Sequence, residues 1–127
     1  MTEKELLEFY NLSLCEFHPD EWDGTGFIVK EINTIFVNSS LDEVERKKLL
    51  LHEIGHLDHY ESLYKHAPLV CENQADSFMI GQLVAEEVAE YGIESFDKVR
   101  FMDKHRLKTT TEEVMIEKEI GKLYGVV

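Results

Sequence analysis

A chain of 127 residues with 43% hydrophobic and 10% aromatic content is sized for a single domain with one core, and its composition excludes wholesale disorder. The formal net charge of −13 argues against direct binding of nucleic acid through its phosphates. No apolar run is long enough to span a bilayer, the stretch around Lys48-Leu49-Leu50-Leu51 included. The start Met1-Thr2-Glu3-Lys4-Glu5 offers no signal peptide, and Cys15 and Cys71 are too few for a disulfide framework. Both features point to a cytoplasmic protein with reduced thiols.

Thr2 with Glu5 forms a capping-box pattern ahead of Leu6, Leu7, Phe9 and Tyr10, which predicts a short helix over residues 2–12. His18 to Gly26 carries Pro19, Asp20, Asp23 and Gly24 and reads as a loop. Phe27-Ile28-Val29 and Ile35-Phe36-Val37 flank a turn at Asn33 and predict a hairpin, 26–31 with 34–38. Ser40 with Glu43 gives a second capping pattern, opening a helix from about 41 to 60 on which Val44, Leu50 or Leu51, Ile54 and Leu57 recur at helical spacing. Ser62 to Leu69, with Pro68, reads as a loop. A helix over Val70–Tyr91 follows, with Ala75, Phe78, Met79, Leu83 and Val88 on its buried side and Gly92 as its stop. Two shorter helices, 95–105 and 111–123, complete the chain. The expectation is one compact α+β domain over 1–127: a core carrying the site over 1–91 and a helical tail over 92–127.

The chemistry concentrates at His52-Glu53-Ile54-Gly55-His56. Histidines four apart stand on one helical face, one turn separated, so both imidazoles can reach one metal ion. Glu53 then lies beside the metal, placed as the general base toward a water that the metal acidifies. A catalytic zinc site needs a third protein ligand. His59 shares the face but lies nearly a further turn away, and the longer metzincin pattern is absent, with His59 and Ser62 where it requires glycine and histidine. On the next helix Glu72 and Asp76 stand four apart. Glu72 is the candidate ligand, and Asp76 the acceptor for the free ring N–H of His52 or His56. Helical neighbours point about 100° apart, so Cys71 cannot face the metal with Glu72 and reads as a buried structural cysteine. Gly55 reads as either a tolerated glycine or a close packing point of the motif helix on the sheet. A second electrophile for the developing oxyanion has four candidates just after the motif: His59, Tyr60, Tyr64 and His66.

H-E-x-x-H followed by E-x-x-x-D looks like the glutamate-zincin layout of thermolysin-like peptidases. With Gly26-Phe27-Ile28-Val29, Ile35-Phe36-Val37-Asn38, Leu50-Leu51-His52-Glu53-Ile54-Gly55-His56 and Glu72-Asn73-Gln74-Ala75-Asp76 in order, the chain resembles the ImmA/IrrE family of small metallopeptidases over about residues 1–90. Many members follow the second helix with a Leu-x-Pro element, whereas this chain continues Gly81-Gln82-Leu83-Val84. The resemblance implies a small zincin-like fold and one zinc ion on His52, His56 and Glu72, a donor set that also accepts Mn²⁺ or Fe²⁺. It also implies a phage or mobile-element setting in a bacterial cytosol, and a protein substrate such as a helix-turn-helix transcriptional repressor. The competing reading is a non-enzymatic anti-repressor that acts by docking, with a structural or degenerate metal site. A third is a chance H-E-x-x-H in an ordinary α+β domain.

Lys98, Arg100, Lys104, Arg106 and Lys108 form the one basic stretch, but the helix after it carries Glu112, Glu113, Glu117 and Glu119, which repel phosphate. The tail therefore reads as an amphipathic element packed on the core. Val99, Phe101, Met102, Met115, Ile116 and Leu123 are also candidates for a partner-docking surface.

Overall fold

A computed structural model describes residues 1–125. The chain is α+β. Helix α1 (Glu3–Phe9) begins with the expected Thr2–Glu5 capping box. Strand β1 (Ser13–Phe17), which the sequence reading left unassigned, follows it. Strands β2 (Gly26–Val29) and β3 (Thr34–Asn38) form the expected antiparallel pair. They are joined by a 3₁₀ turn at Lys30–Ile32 and by Asn33 in the left-handed region, φ 49°. The sheet runs β1-β3-β2, with β1 parallel to β3. Leu14, Ile35 and Ile28 line up across the three strands and turn inward to the core. The other face carries Phe17, Phe27, Phe36 and the nearby Trp22, in ring contact with one another.

Helix α2 (Glu43–Gly55) takes Asp42 as its N-cap, whose carboxylate accepts from the Glu45 N–H at 3.0 Å. The expected Ser40–Glu43 box does not form, because the Ser40 N–H and hydroxyl both donate to Asn38 Oδ1, at 2.9 and 2.7 Å. Asn38 is itself buried, and its Nδ2 donates to Gly24 O at 3.0 Å, which ties the preceding loop to the end of β3. Helix α2 stops at Gly55, short of residue 60. The His56 and Leu57 N–H groups tighten to i−3 carbonyls, Glu53 O and Ile54 O, each at 3.0 Å, a 3₁₀ closure that turns the chain.

A short helix α3 (Glu61–His66) occupies most of the segment expected as loop. Pro68 is not in a loop but at the first position of α4 (Pro68–Tyr91), where its missing N–H costs no hydrogen bond. Cys71, Ala75, Met79, Ile80, Leu83 and Val84 form its buried face, and Gly92 at φ 85° ends it. After a 3₁₀ turn at Ile93–Ser95 come α5 (Lys98–Lys104), capped by Asp97, and α6 (Thr110–Leu123), with a capping box of Thr109 and Glu112.

Both α2 and α6 pack along α4. Phe101, Leu107 and Ile116 of the tail join Leu6, Ile35, Leu50, Leu51, Ile80 and Leu83 in one core. Phe101 and Ile116 are thus core residues and not part of a docking surface, whereas Val99 and Leu123 are exposed. No described helix is long and apolar enough to cross a membrane.

Candidate metal centre

The site lies where the end of α2 crosses the start of α4. Gly55 is a point of close approach, and its neighbour is Ala75 of α4 rather than the sheet. Across this contact α2 presents His52, Glu53 and His56, and α4 presents Glu72, Gln74 and Asp76. The donor atoms of His52, His56 and Glu72 all lie within 4.8 Å of one another. His52 Nε2 stands 2.9 Å from Glu72 Oε2, His56 Nε2 stands 3.1 Å from Glu72 Oε1, and the two Nε2 atoms are 3.2 Å apart.

These separations provide a test of fit. Donors about 2.0–2.1 Å from a tetrahedral zinc stand roughly 3.3 Å from one another. The two imidazole nitrogens, 3.2 Å apart, stand close to that spacing, and Glu72 faces them with different oxygens, Oε2 2.9 Å from His52 and Oε1 3.1 Å from His56, so its carboxylate is turned to the same point as both rings. Two imidazoles and one carboxylate are also the donor chemistry that zinc, Mn²⁺ and Fe²⁺ accept. The residues fit a single divalent ion.

Each imidazole has a partner on its other nitrogen. Asp76 Oδ1 lies 2.7 Å from His52 Nδ1. His56 Nδ1 lies 3.0 Å from His59 Nδ1, and His59 Nε2 lies 2.7 Å from Gln74 Oε1. His59 reaches this position because the chain turns after His56, with the His59 N–H donating to His56 O at 2.9 Å. Tyr64 of α3 donates its hydroxyl to Glu72 Oε1 at 2.8 Å. Cys71 is fully buried in the core, as expected, and Cys15 is exposed.

Glu53 lines one cleft with His56 and Glu72 of the cluster and with Phe27 and Ile28 of β2. Burial pushes the Glu53 carboxyl up to about 7; the His52 charge opposes this, and the Glu72 charge reinforces it. Burial alone would lower His52, but the Asp76 hydrogen bond and the charges of Asp76, Glu72 and Glu53 hold it above the ordinary imidazole value. His56 is lowered, first by burial, with Glu72 opposing and His52, His59 and Lys30 adding to the fall. The hydrogen bond to Glu72 raises the Tyr64 phenol.

The cluster opens into a cleft of about 490 Å³. Phe27, Ile28 and Lys30 line it together with Glu53, His56, Tyr64 and Glu72. Of the four aromatic candidates after the motif, Tyr64 and His59 line this cleft, while Tyr60 and His66 are exposed and do not. His59 has both ring nitrogens engaged, and its side chain is buried, with 7% of the residue accessible. Gln74 is the participant that the sequence reading missed. Its contact depends on the chain reversal after His56, which no helical periodicity announces.

No curated protein and no solved structure matches the chain. The family model of Peptidase_M78, described as the IrrE N-terminal-like domain, matches residues 8–114, a span that holds both helices of the cluster and most of the tail. With that match added to the paired histidines of α2 and the carboxylate facing them from α4, the chain belongs to the IrrE N-terminal-like family of metallopeptidases.

Proposed function

We propose that this protein is a zinc-dependent endopeptidase of the bacterial cytoplasm that cleaves one specific protein, a helix-turn-helix repressor of the kind carried by phages and mobile elements. His52, His56 and Glu72 hold the ion, and Asp76 orients His52. The observation that carries the reading is the position of Glu53. It lines the cleft beside the donor cluster without belonging to it. A site that only holds metal for stability needs no carboxylate there, whereas a general base toward a metal-bound water must stand in that position.

A zinc ion on these ligands supplies Lewis acidity, polarising the scissile carbonyl and acidifying water. Glu53 accepts the proton of the attacking water and passes it to the leaving amine nitrogen as the C–N bond breaks. The Tyr64 hydroxyl, now donating to Glu72 Oε1, turns to the substrate carbonyl oxygen as negative charge builds there. Among the described residues β2 pairs with β3 on one side only, so a substrate segment adds to its free edge as an extended strand, with Phe27 beside it.

The test is Glu53→Gln in the 127-residue chain, with zinc content measured alongside cleavage of a candidate helix-turn-helix repressor. Zinc retained at one equivalent with cleavage abolished is the expected result. If the variant still inactivates the repressor and no cut product forms, the protein acts by docking and the peptidase reading fails.

A further inference from the structure

We propose that Gln74 and His59 form a positioning relay that fixes the tautomer of His56 and so sets the metal affinity of the site. The proposal rests on His56 being a ligand, and it adds two residues outside the donor set, His59 in contact with His56 and Gln74 one step further out.

The relay follows from donor and acceptor chemistry. Gln74 Oε1 carries no proton, so across 2.7 Å the His59 Nε2–H donates to it. A neutral imidazole protonated at Nε2 has a bare Nδ1, so His59 Nδ1 accepts. The atom 3.0 Å from it, His56 Nδ1, must then be the donor. His56 is left with an unprotonated Nε2, the nitrogen 3.1 Å from Glu72 Oε1 and 3.2 Å from His52 Nε2. A metal takes a bare ring nitrogen, and the proton on the other one decides which is bare.

The other histidine is set by a shorter string, in which His52 Nδ1–H donates to Asp76 Oδ1 at 2.7 Å. Both strings start on α4, from residues flanking Ala75, the residue on which Gly55 rests. The close approach of Gly55 to Ala75 therefore bears on both the spacing of the ligands and the origin of both orienting hydrogen bonds. His59 is buried, so replacing it risks the fold, whereas Gln74 is exposed. Gln74 is the position to test.

Zinc affinity is measured by competition with a chromogenic chelator for the parent protein, Gln74→Leu and Gln74→Glu at pH 8. Imidazole ¹⁵N spectra of the metal-free proteins report the tautomers directly. The relay predicts that Gln74→Leu binds zinc about 10–100-fold more weakly, while Gln74→Glu, which keeps an acceptor, stays within a few-fold of the parent. The melting temperature in chelator should be unchanged in both variants. The spectra should show His56 protonated at Nδ1 in the parent and as a mixture of tautomers in Gln74→Leu. Parent-like affinity in Gln74→Leu, or His56 protonated at Nε2 in the parent, overturns the relay. If the parent binds no zinc, the metallopeptidase reading fails, and the spectra still decide the relay.

Discussion

Ala75 lies directly against Gly55. A Cβ added at Gly55 would stand 2.8 Å from Ala75 Cα and 3.0 Å from its carbonyl oxygen. The glycine inside H-E-I-G-H and the alanine inside E-N-Q-A-D are therefore two halves of one contact between helices. The polar residues of both motifs owe their convergence to the absence of side-chain bulk at these two positions. Ala75 is completely buried, and any residue larger than alanine would hold Glu72 and Asp76 away from His52.

Gly55→Ala is expected to destabilise the protein by up to about 2 kcal/mol, although alanine is the better helix former by about 1 kcal/mol. The added methyl meets backbone, which cannot rotate away, and overpacking of that kind costs about 1–3 kcal/mol before the propensity gain is subtracted. Gly81→Ala is the control on α4. There the new Cβ meets the Glu119 carboxylate at 3.3 Å, the movable end of a side chain. A gain of about 0.5–1 kcal/mol is expected. Urea midpoints of the two variants should move in opposite directions, and zinc affinity should fall only in Gly55→Ala.

Asp76→Ala removes the acceptor 2.7 Å from His52 Nδ1. Zinc affinity should fall about 10–100-fold. The shift of melting temperature on adding a fixed zinc concentration should shrink accordingly, since a ligand at about 1,000 times its Kd stabilises by about 4 kcal/mol. An unchanged zinc-induced shift would remove Asp76 from the site.

The cluster of His52, His56, Glu72 and Asp76 was legible in the sequence because it depends on one local rule. Residues four apart share a helical face, and both His52/His56 and Glu72/Asp76 obey it. What was not legible depends on chain reversal or on distant pairing. Ser13–Phe17 forms a strand only by lying parallel to Thr34–Asn38, a partner that its own residues do not name. Leu57 and His59 continue the helical pattern past Gly55, yet the helix closes there, and that closure brings His59 back onto His56. Ser40 and Asp42 both precede a glutamate by three. The choice fell to Asp42 because Asn38, at the end of β3, engages Ser40. Tyr64 lies in a segment whose proline suggested a loop, where that proline instead begins α4.

Tyr64→Phe separates binding from chemistry. The hydroxyl touches Glu72 Oε1 but belongs to no donor triad, so zinc affinity should stay within a few-fold of the parent. If the phenol stabilises the charge developing on the substrate, kcat should fall about 10²–10³-fold with KM little changed. A rise in KM at unchanged kcat would make Tyr64 a substrate-binding residue instead.

His105 sets a pH dependence of stability separate from the cleft. Its Nε2 is buried without a hydrogen-bond partner, and the ring tilts against Phe101 at 4.7 Å. Burial pushes its pKa down to about 4, with the neighbouring Lys104 charge adding to the fall. Between pH 6.5 and about 4 the unfolded chain holds a proton at this residue that the folded chain does not. Stability from His105 is therefore full above 6.5 and is lost as the pH falls through that window. At about 1.4 kcal/mol per pH unit the window amounts to about 3 kcal/mol at most. Glu53 acts in the opposite sense. With its folded carboxyl raised from 4.5 to about 7, the folded chain keeps a proton that the unfolded chain loses, and stability falls as the pH rises across that range. The measurement accordingly uses chelator-treated protein with Glu53→Gln in both arms, with and without His105→Leu, unfolded in urea at steps from pH 7 to pH 4. The arm carrying His105→Leu should lose less stability on acidification, by up to about 3 kcal/mol, and parallel curves would show that His105 is protonated alike in the folded and unfolded chains.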